Sequence, residues 1–329
     1  LCMTADSERL AELDLEATIG RIGVDADREI PVISLADFER RRDEIGDELW
    51  LAAREVGFFQ LLDHGVGAAL IDATFAAAER FFDLDDESKS LVPWRRELNA
   101  GWESKSQVRP STRVADQKES YQMTAPHMSG LWPDESLVPG FRSTLQDMER
   151  QCWQVAMRVL SCFADRLGFA PDFFTAAHDP TGDGYQSTLR LLRYFPMSAD
   201  DFEEGQWRAG AHTDYNCLTL LFQREGQAGL QVCPGTDAAT GRWTSVTPDE
   251  RLITCNIGDM LKRWSDDRVS STLHRVRGPR PGEPVVARHS VAFFAQANKP
   301  VMIVPPGGSY EPTSAGDFLQ QRIDANFVR

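Results

Sequence analysis

The chain has 329 residues and a formal net charge of −15, with 42% hydrophobic and 26% charged residues. Such a composition belongs to a folded globular chain and argues against disorder over most of its length. The acidic balance excludes a general nucleic-acid binder, which needs a basic footprint for the phosphates.

Residues 1–28 are polar and acidic and read as a loosely attached arm. They lack the cationic start and apolar stretch of a secretory leader. No run of about 18 apolar residues occurs, so no membrane-spanning helix is expected. The six cysteines, Cys2, Cys152, Cys162, Cys217, Cys233 and Cys255, are scattered with no C-x-x-C. They are predicted to be free thiols, which places the protein in a reducing cytoplasm.

Residues 30–33 predict a short strand. Ile45, Leu49, Ala52, Ala53 and Val56 recur at helical spacing, Gly57 fits the stop, and residues 58–62 fit a buried strand. Residues 70–82 repeat the helical pattern. Residues 83–140 are rich in Pro, Gly and charge and predict loop with little regular structure. Residues 145–167 predict a strong amphipathic helix that ends at Gly168. After Pro180 short apolar runs recur between turn residues, at 189–195, 218–222, 230–232, 251–256, 285–289, 291–294 and 301–304. Many short strands suggest a barrel or sandwich rather than a doubly wound sheet. No glycine-rich phosphate loop of either common kind is present. The expected organisation is an arm (1–28), a helical N-terminal region with the first strands (29–180), a β core (181–306) and a C-terminal tail (307–329).

Any metal or acid–base site must draw on only six histidines: His64, His127, His178, His212, His274 and His289. His212-Thr213-Asp214 is an H-x-D. In an extended strand its first and third side chains share a face and can grip one ion. A further ligand from a distant strand would complete two histidines and a carboxylate, leaving positions open for a co-substrate and O₂. Alone, the triplet says little, because a strand histidine satisfied by a backbone hydrogen bond is the commoner case. Its context is richer: the apolar run 218–222 follows it, and His274 lies in Ser271-Thr272-Leu273-His274-Arg275-Val276. Beyond comes Arg288-His289-Ser290, whose outer residues share a strand face. An arginine fork beside a hydroxyl suits a carboxylate.

From about residue 30 to about residue 306 the chain resembles the isopenicillin N synthase-like branch of the iron(II)/2-oxoglutarate oxygenases. The resemblance is carried by Ile30-Pro31-Val32-Ile33-Ser34-Leu35, by Gly57-Phe58-Phe59 through His64-Gly65-Val66, and by Asp116 to Tyr121. It continues through Arg193-Tyr194-Phe195-Pro196, Ala211-His212-Thr213-Asp214, Asn256-Ile257-Gly258-Asp259 and Ser271 to Val276. It implies a mainly β fold, a double-stranded β-helix (jelly roll) with flanking helices. It implies Fe(II) held by His212, Asp214 and His274, 2-oxoglutarate held at its far end by Arg288 and Ser290, and O₂ as oxidant. The implied reaction hydroxylates, desaturates or cyclises a small organic molecule, of the amino-acid-derived, peptide-like or secondary-metabolite kind, while 2-oxoglutarate becomes succinate and CO₂. Neither a nucleic acid nor a membrane is an expected partner.

His64 falls in a family motif as a structural residue, and His289 should point away from the site. Where relatives often carry a second tyrosine before the proline, this chain has Phe195, which removes a hydroxyl expected to support the co-substrate. Tyr121, Gln122, Arg190 and Arg193 are candidate polar contacts to substrate. Its mouth is expected from residues 98–122, 179–191, 197–207 and the tail. An oxoglutarate-independent oxidase, an ethylene-forming enzyme and a non-catalytic metal-binding β-barrel remain open at this point. A zinc hydrolase has less support, because no H-E-x-x-H is present.

Overall fold

The structure is a computed structural model that describes residues 24–107, 115–182, 184–201, 207–234 and 241–326. The first 23 residues of the expected arm, together with 108–114 and 202–206 of the expected mouth, lie outside the described residues. The arm's end is tied down: β1 (Val24–Ala26) pairs in parallel with β10 (Arg242–Ser245).

Two sheets face each other. The larger has the order β2 (Val32–Ser34), β3 (Phe58–Leu62), β11 (Ile253–Ile257), β8 (Leu218–Gln223), β13 (Arg288–Ala295), β6 (Thr188–Tyr194), β5 (Lys118–Met123) and β4 (Gly101–Ser104). The smaller runs β1, β10, β9 (Leu230–Cys233), β12 (Leu273–Val276) and β7 (Ala209–His212). Strands β14 (Met302–Ile303) and β15 (Thr313–Ser314) pair apart from both. A pocket between the two sheets takes its lining from each. This is a double-stranded β-helix. Its helical part comprises α1 (Phe38–Glu55), α2 (Ala68–Phe82), α3 (Asp86–Lys89), α4 (Phe141–Leu167) and α5 (Phe173–Ala177), with α6 (Asp259–Trp264) and α7 (Ala315–Asn326) further on.

Strand alternation separates core from pocket. Leu189 and Leu191 of β6, with Val291, Phe293 and Ala295 of β13, join the main core that holds Phe75, Phe81, Met148 and Val155 of α2 and α4. Arg190, Leu192 and Tyr194, with Arg288, Ser290, Ala292 and Phe294, line the pocket instead. The main hydrophobic mass therefore sits between helices and sheet, and the space between the sheets is left for chemistry. Helix α4 ends at Gly168 with φ 77°, a left-handed stop that suits glycine. At Gly57, φ is 75° and an added Cβ would lie 2.2 Å from Thr272 Oγ1. The stop after α1 is thus also a close approach to the chain beside β12.

Four expectations are corrected or refined. Residues 83–140 are largely irregular as expected but also contain α3, β4 and β5, and every residue of β5 is buried. Its charges are satisfied across the fold. Glu119 pairs with Lys89 at 3.0 Å and accepts from Trp102 Nε1 at 2.7 Å, and Lys118 reaches Gln107 at 2.8 Å. Local composition cannot show those partners. The runs at 285–289 and 291–294 form one strand, β13, while Val285 and Val286 stay exposed before it. Segments 209–212, 242–245 and 273–276 are strands that apolar runs did not flag. The tail, expected at the mouth without an element of its own, does line the pocket, and residues 315–326 of it form a helix, α7.

Among the described residues no helix is long and apolar enough to cross a membrane.

Candidate active site

Strands β7 and β12 are antiparallel, and their register sets His212 directly opposite His274. The ring centroids are 4.3 Å apart. Each imidazole places Nδ1 against the carbonyl two residues before it, at 2.7 Å for Gly210 and 3.2 Å for Thr272. A carbonyl can only accept, so Nδ1 carries the proton and Nε2 presents its lone pair. The Phe58 ring meets His274 edge-on at 5.5 Å.

Asp214 arrives differently from the expected shared strand face. Strand β7 ends at His212, so Thr213 and Asp214 lie in irregular chain. Hydrogen bonds hold that turn. The Asp259 amide donates to the Asp214 carbonyl at 2.8 Å, and the Thr213 hydroxyl donates to Asp259 Oδ2 at 3.0 Å. Oδ2 of Asp214 accepts from the Thr219 hydroxyl at 2.6 Å and from Asn256 Nδ2 at 2.8 Å. Oδ1 is left facing the histidines, 3.9 Å from His212 Nε2 and 3.7 Å from His274 Nε2. One ligand atom from each residue lies within 4.8 Å of the others. Two imidazoles and one carboxylate beside an open pocket are the donor set of a non-haem iron(II) site.

Arg288 and Ser290 share the pocket face of β13, as alternation predicted. Both are 1% exposed. Arg288 donates through Nε to the Gln227 carbonyl at 3.0 Å, and its guanidinium lies 4.8 Å from the Tyr194 ring centroid. Burial lowers its pKa from the ordinary arginine value. The Ser290 hydroxyl is buried with no hydrogen-bond partner among the described residues. A buried cation beside an unsatisfied hydroxyl fits an incoming carboxylate, which supplies acceptors for both. The register of β6 sets Tyr194 opposite Arg288, and Phe195 instead lies beneath Lys105. The phenol ring next to Arg288 is therefore that of Tyr194.

The remaining histidines stand elsewhere. His64 accepts from the Val66 amide at 3.1 Å, and burial lowers its pKa. His178 is buried against the Phe174 carbonyl, and His289 packs on Phe82 away from the pocket. His127 lines a second cavity, which it shares with residues 96–99. The five described cysteines are free and buried; burial pushes the Cys217 thiol up, and that residue is outside the ligand cluster. Of the candidate substrate contacts, Arg190 lines the pocket and Gln122 supports it at 2.6 Å. Tyr121 instead donates to the Leu131 carbonyl, and Arg193 pairs with Glu119 and Asp83. Sequence reasoning assigned no role to Thr219, Asn256, Asp259, Leu319 or Ile323. The lone hydroxyl of Thr219 in an apolar strand was the available signal.

The family described as the 2OG-Fe(II) oxygenase superfamily matches residues 186–297, and that described as the non-haem dioxygenase in morphine synthesis N-terminal matches residues 30–136. A UPF0676 protein of Schizosaccharomyces pombe is 31% identical, over 91% of this chain and 93% of its own. Proline hydroxylase buaE of Petromyces alliaceus is 30% identical over 80% of this chain and 84% of its own. Among solved structures, a full-length Neurospora crassa protein in complex with alpha-KG and thymine superposes with a TM-score of 0.80 at 30% identity, covering 90% of this chain and 96% of that one. The chain belongs to the 2OG-Fe(II) oxygenase superfamily and is a 2-oxoglutarate-dependent dioxygenase that uses Fe(II) and O₂.

Proposed function

We propose that Nε2 of His212, Nε2 of His274 and Oδ1 of Asp214 hold the iron(II), that Arg288 and Ser290 hold the distal carboxylate of 2-oxoglutarate, and that the substrate is a flat, hydrogen-bonding small molecule such as a pyrimidine base. The observation that carries the co-substrate assignment is the partnerless Ser290 hydroxyl beside buried Arg288, in the same pocket as the three ligand atoms.

Iron(II) there supplies the redox chemistry that couples O₂ to decarboxylation of 2-oxoglutarate and oxidation of a C–H bond. The chain's residues orient and enclose. Arg288 fixes one end of the co-substrate, so the other end can meet the metal in one pose. Leu192, Leu221, Leu230, Val276 and Ala292 make the intervening wall apolar and keep water out.

The substrate class is supported by wall chemistry. Phe294 and Tyr215 offer aromatic surface, and the Arg190 guanidinium lies 5.2 Å from the Phe294 ring centroid. Asn99, whose Nδ2 donates to Thr188 at 3.3 Å, supplies an amide. Aromatic surface beside one amide and one guanidinium suits a planar ring with carbonyl and N–H edges. The likeness to the Neurospora crassa protein, solved with thymine and with 5-formyluracil, supports the same class. The free thiols support a cytoplasmic setting.

The test is succinate formation with 2-oxoglutarate, iron(II) and O₂ against thymine, uracil, 5-formyluracil and L-proline. One oxidised product per succinate from a pyrimidine is expected. Coupled turnover with proline, and none with any pyrimidine, would overturn the substrate class. Turnover of any of them by an Arg288→Ala protein at the parent's KM for 2-oxoglutarate would overturn the co-substrate assignment.

A further inference from the structure

The C-terminal helix α7 reaches the metal site along two routes. Leu319 and Ile323 line the active-site pocket directly. Between them in helical position, Arg322 turns inward and is 1% exposed. Its guanidinium forms an ion pair with Asp259 Oδ2, at the start of α6. The same guanidinium lies 5.3 Å from the ring centroid of Tyr215, the residue after Asp214.

Asp259 is where α7 meets the metal-binding turn. Its Oδ2 also accepts from the Thr213 hydroxyl, and its backbone amide donates to the Asp214 carbonyl. Thr213 stands between two members of the triad. That stretch lies past the end of β7, outside the strand ladder. The set of contacts from Arg322 through Asp259 to Thr213, with Tyr215 stacked beside it, does what a strand would otherwise do. A buried ion pair is a poor general source of stability, and its better-attested use is to specify one geometry. Here the geometry specified is that of the turn carrying Asp214.

We propose that α7 clamps the metal-binding turn, with Arg322 acting through Asp259 and Thr213 as a positioning residue for His212 and Asp214. The inference rests on His212, Asp214 and His274 being the ligands. It makes residues 315–326 part of the machinery of the site rather than a trailing segment. It also ties the pocket wall at Leu319 and Ile323 to the metal, because one helix carries both.

Cobalt(II) binding to the metal-free full-length protein reads the geometry without turnover, through affinity and the d–d absorption spectrum. Thr213→Val removes one hydroxyl and leaves the ion pair intact. Arg322→Met removes the cation and keeps much of the volume. Each is expected to weaken cobalt binding about tenfold, the lower end for groups that orient metal ligands, and to change the spectrum. Because both break one chain of contacts, the double variant should be little weaker than the worse single one. In turnover, kcat should fall in both while KM for 2-oxoglutarate holds. Parent affinity and an unchanged spectrum in Thr213→Val would overturn the clamp, and so would fully multiplicative losses in the double variant. Should Arg322→Met fail to fold, Thr213→Val alone decides, since it takes one hydrogen bond from Asp259 but leaves the two buried charges paired with each other. A His212→Ala control separates the two readings. Cobalt bound as tightly as in the parent would sink the ligand assignment, and the clamp with it. Loss in that control with parent affinity in Thr213→Val would sink the clamp alone.

Discussion

The Thr219 hydroxyl donates to Oδ2 of Asp214 at 2.6 Å, so the other carboxylate oxygen faces the two imidazoles. With the Asn256 amide on the same oxygen, the carboxylate is held against rotation. Thr219→Val should weaken iron(II) affinity by about tenfold, roughly one good hydrogen bond to a charged group. Global stability should change by less than about 1.5 kcal/mol, since valine fills the same space. Isothermal titration of the metal-free protein with iron(II) under nitrogen measures it. Parent affinity would mean that the Thr219 hydroxyl does not orient Asp214.

Arg288 and Ser290 should separate cleanly in kinetics. Arg288→Lys keeps the charge but loses the planar fork, so KM for 2-oxoglutarate should rise by about 10- to 100-fold. Ser290→Ala removes a hydroxyl that lacks a partner in the ligand-free fold. It should raise KM about 3- to 10-fold and leave the melting temperature unchanged or higher, because an unsatisfied buried group is lost. A stability loss without any change in KM would make Ser290 structural.

His178 sets an acid limit on stability. Burial lowers its pKa from 6.5 to about 4. Below pH 6.5 the unfolded chain takes up a proton that the folded chain refuses until about pH 4. Stability from this group is therefore complete above pH 6.5 and drains as pH falls toward 4, by about 3 kcal/mol in all. Urea unfolding of parent and His178→Gln at pH 7 and pH 5 tests this, with the parent expected to lose about 2 kcal/mol more between them. Equal losses would rule the group out.

Gly57→Ala should be costly for its size. The residue sits at φ 75°, and an added Cβ would meet Thr272 Oγ1 at 2.2 Å and the Ser270 carbonyl at 2.5 Å. A cost of about 2–4 kcal/mol is expected from strain and overpacking combined. The Thr272 carbonyl receives His274 Nδ1, so iron affinity should fall as well. Thermal unfolding with and without added metal reports both. A change of less than about 1 kcal/mol would show that the chain beside β12 can give way.

The substrate wall predicts a split between binding and chemistry. Arg190→Met should raise KM for a pyrimidine by about tenfold, losing one charge-assisted contact, and leave KM for 2-oxoglutarate unchanged. Succinate formed without product should rise, because a loosely held substrate lets co-substrate turn over alone. Steady-state assays of both products decide it; unchanged KM for every pyrimidine would move Arg190 to a structural role.

Several features are legible in the chain before it folds: the His212, Asp214 and His274 candidates, the shared face of Arg288 and Ser290, the helices ending near Gly57 and Gly168, and the mainly β C-terminal half. Most of these are written in short-range order, as motif spacing, a period of two or 3.6, or a glycine at a stop, whereas His274, far along the chain from His212, enters through the family resemblance. Which oxygen of Asp214 faces the histidines is a matter of packing, because Thr219 and Asn256 come from different strands. So is the burial of β5, since Lys89, Trp102 and Arg193 bring Glu119 its partners from three separate elements. Tyr194 rather than Phe195 stands beside Arg288 because the register between β6 and β13 sets which ring faces the pocket. Residues 315–326 become a wall of the site through an Arg322–Asp259 contact spanning 63 positions. Contacts between residues that far apart leave no periodic trace in the chain, so only the folded packing could supply them.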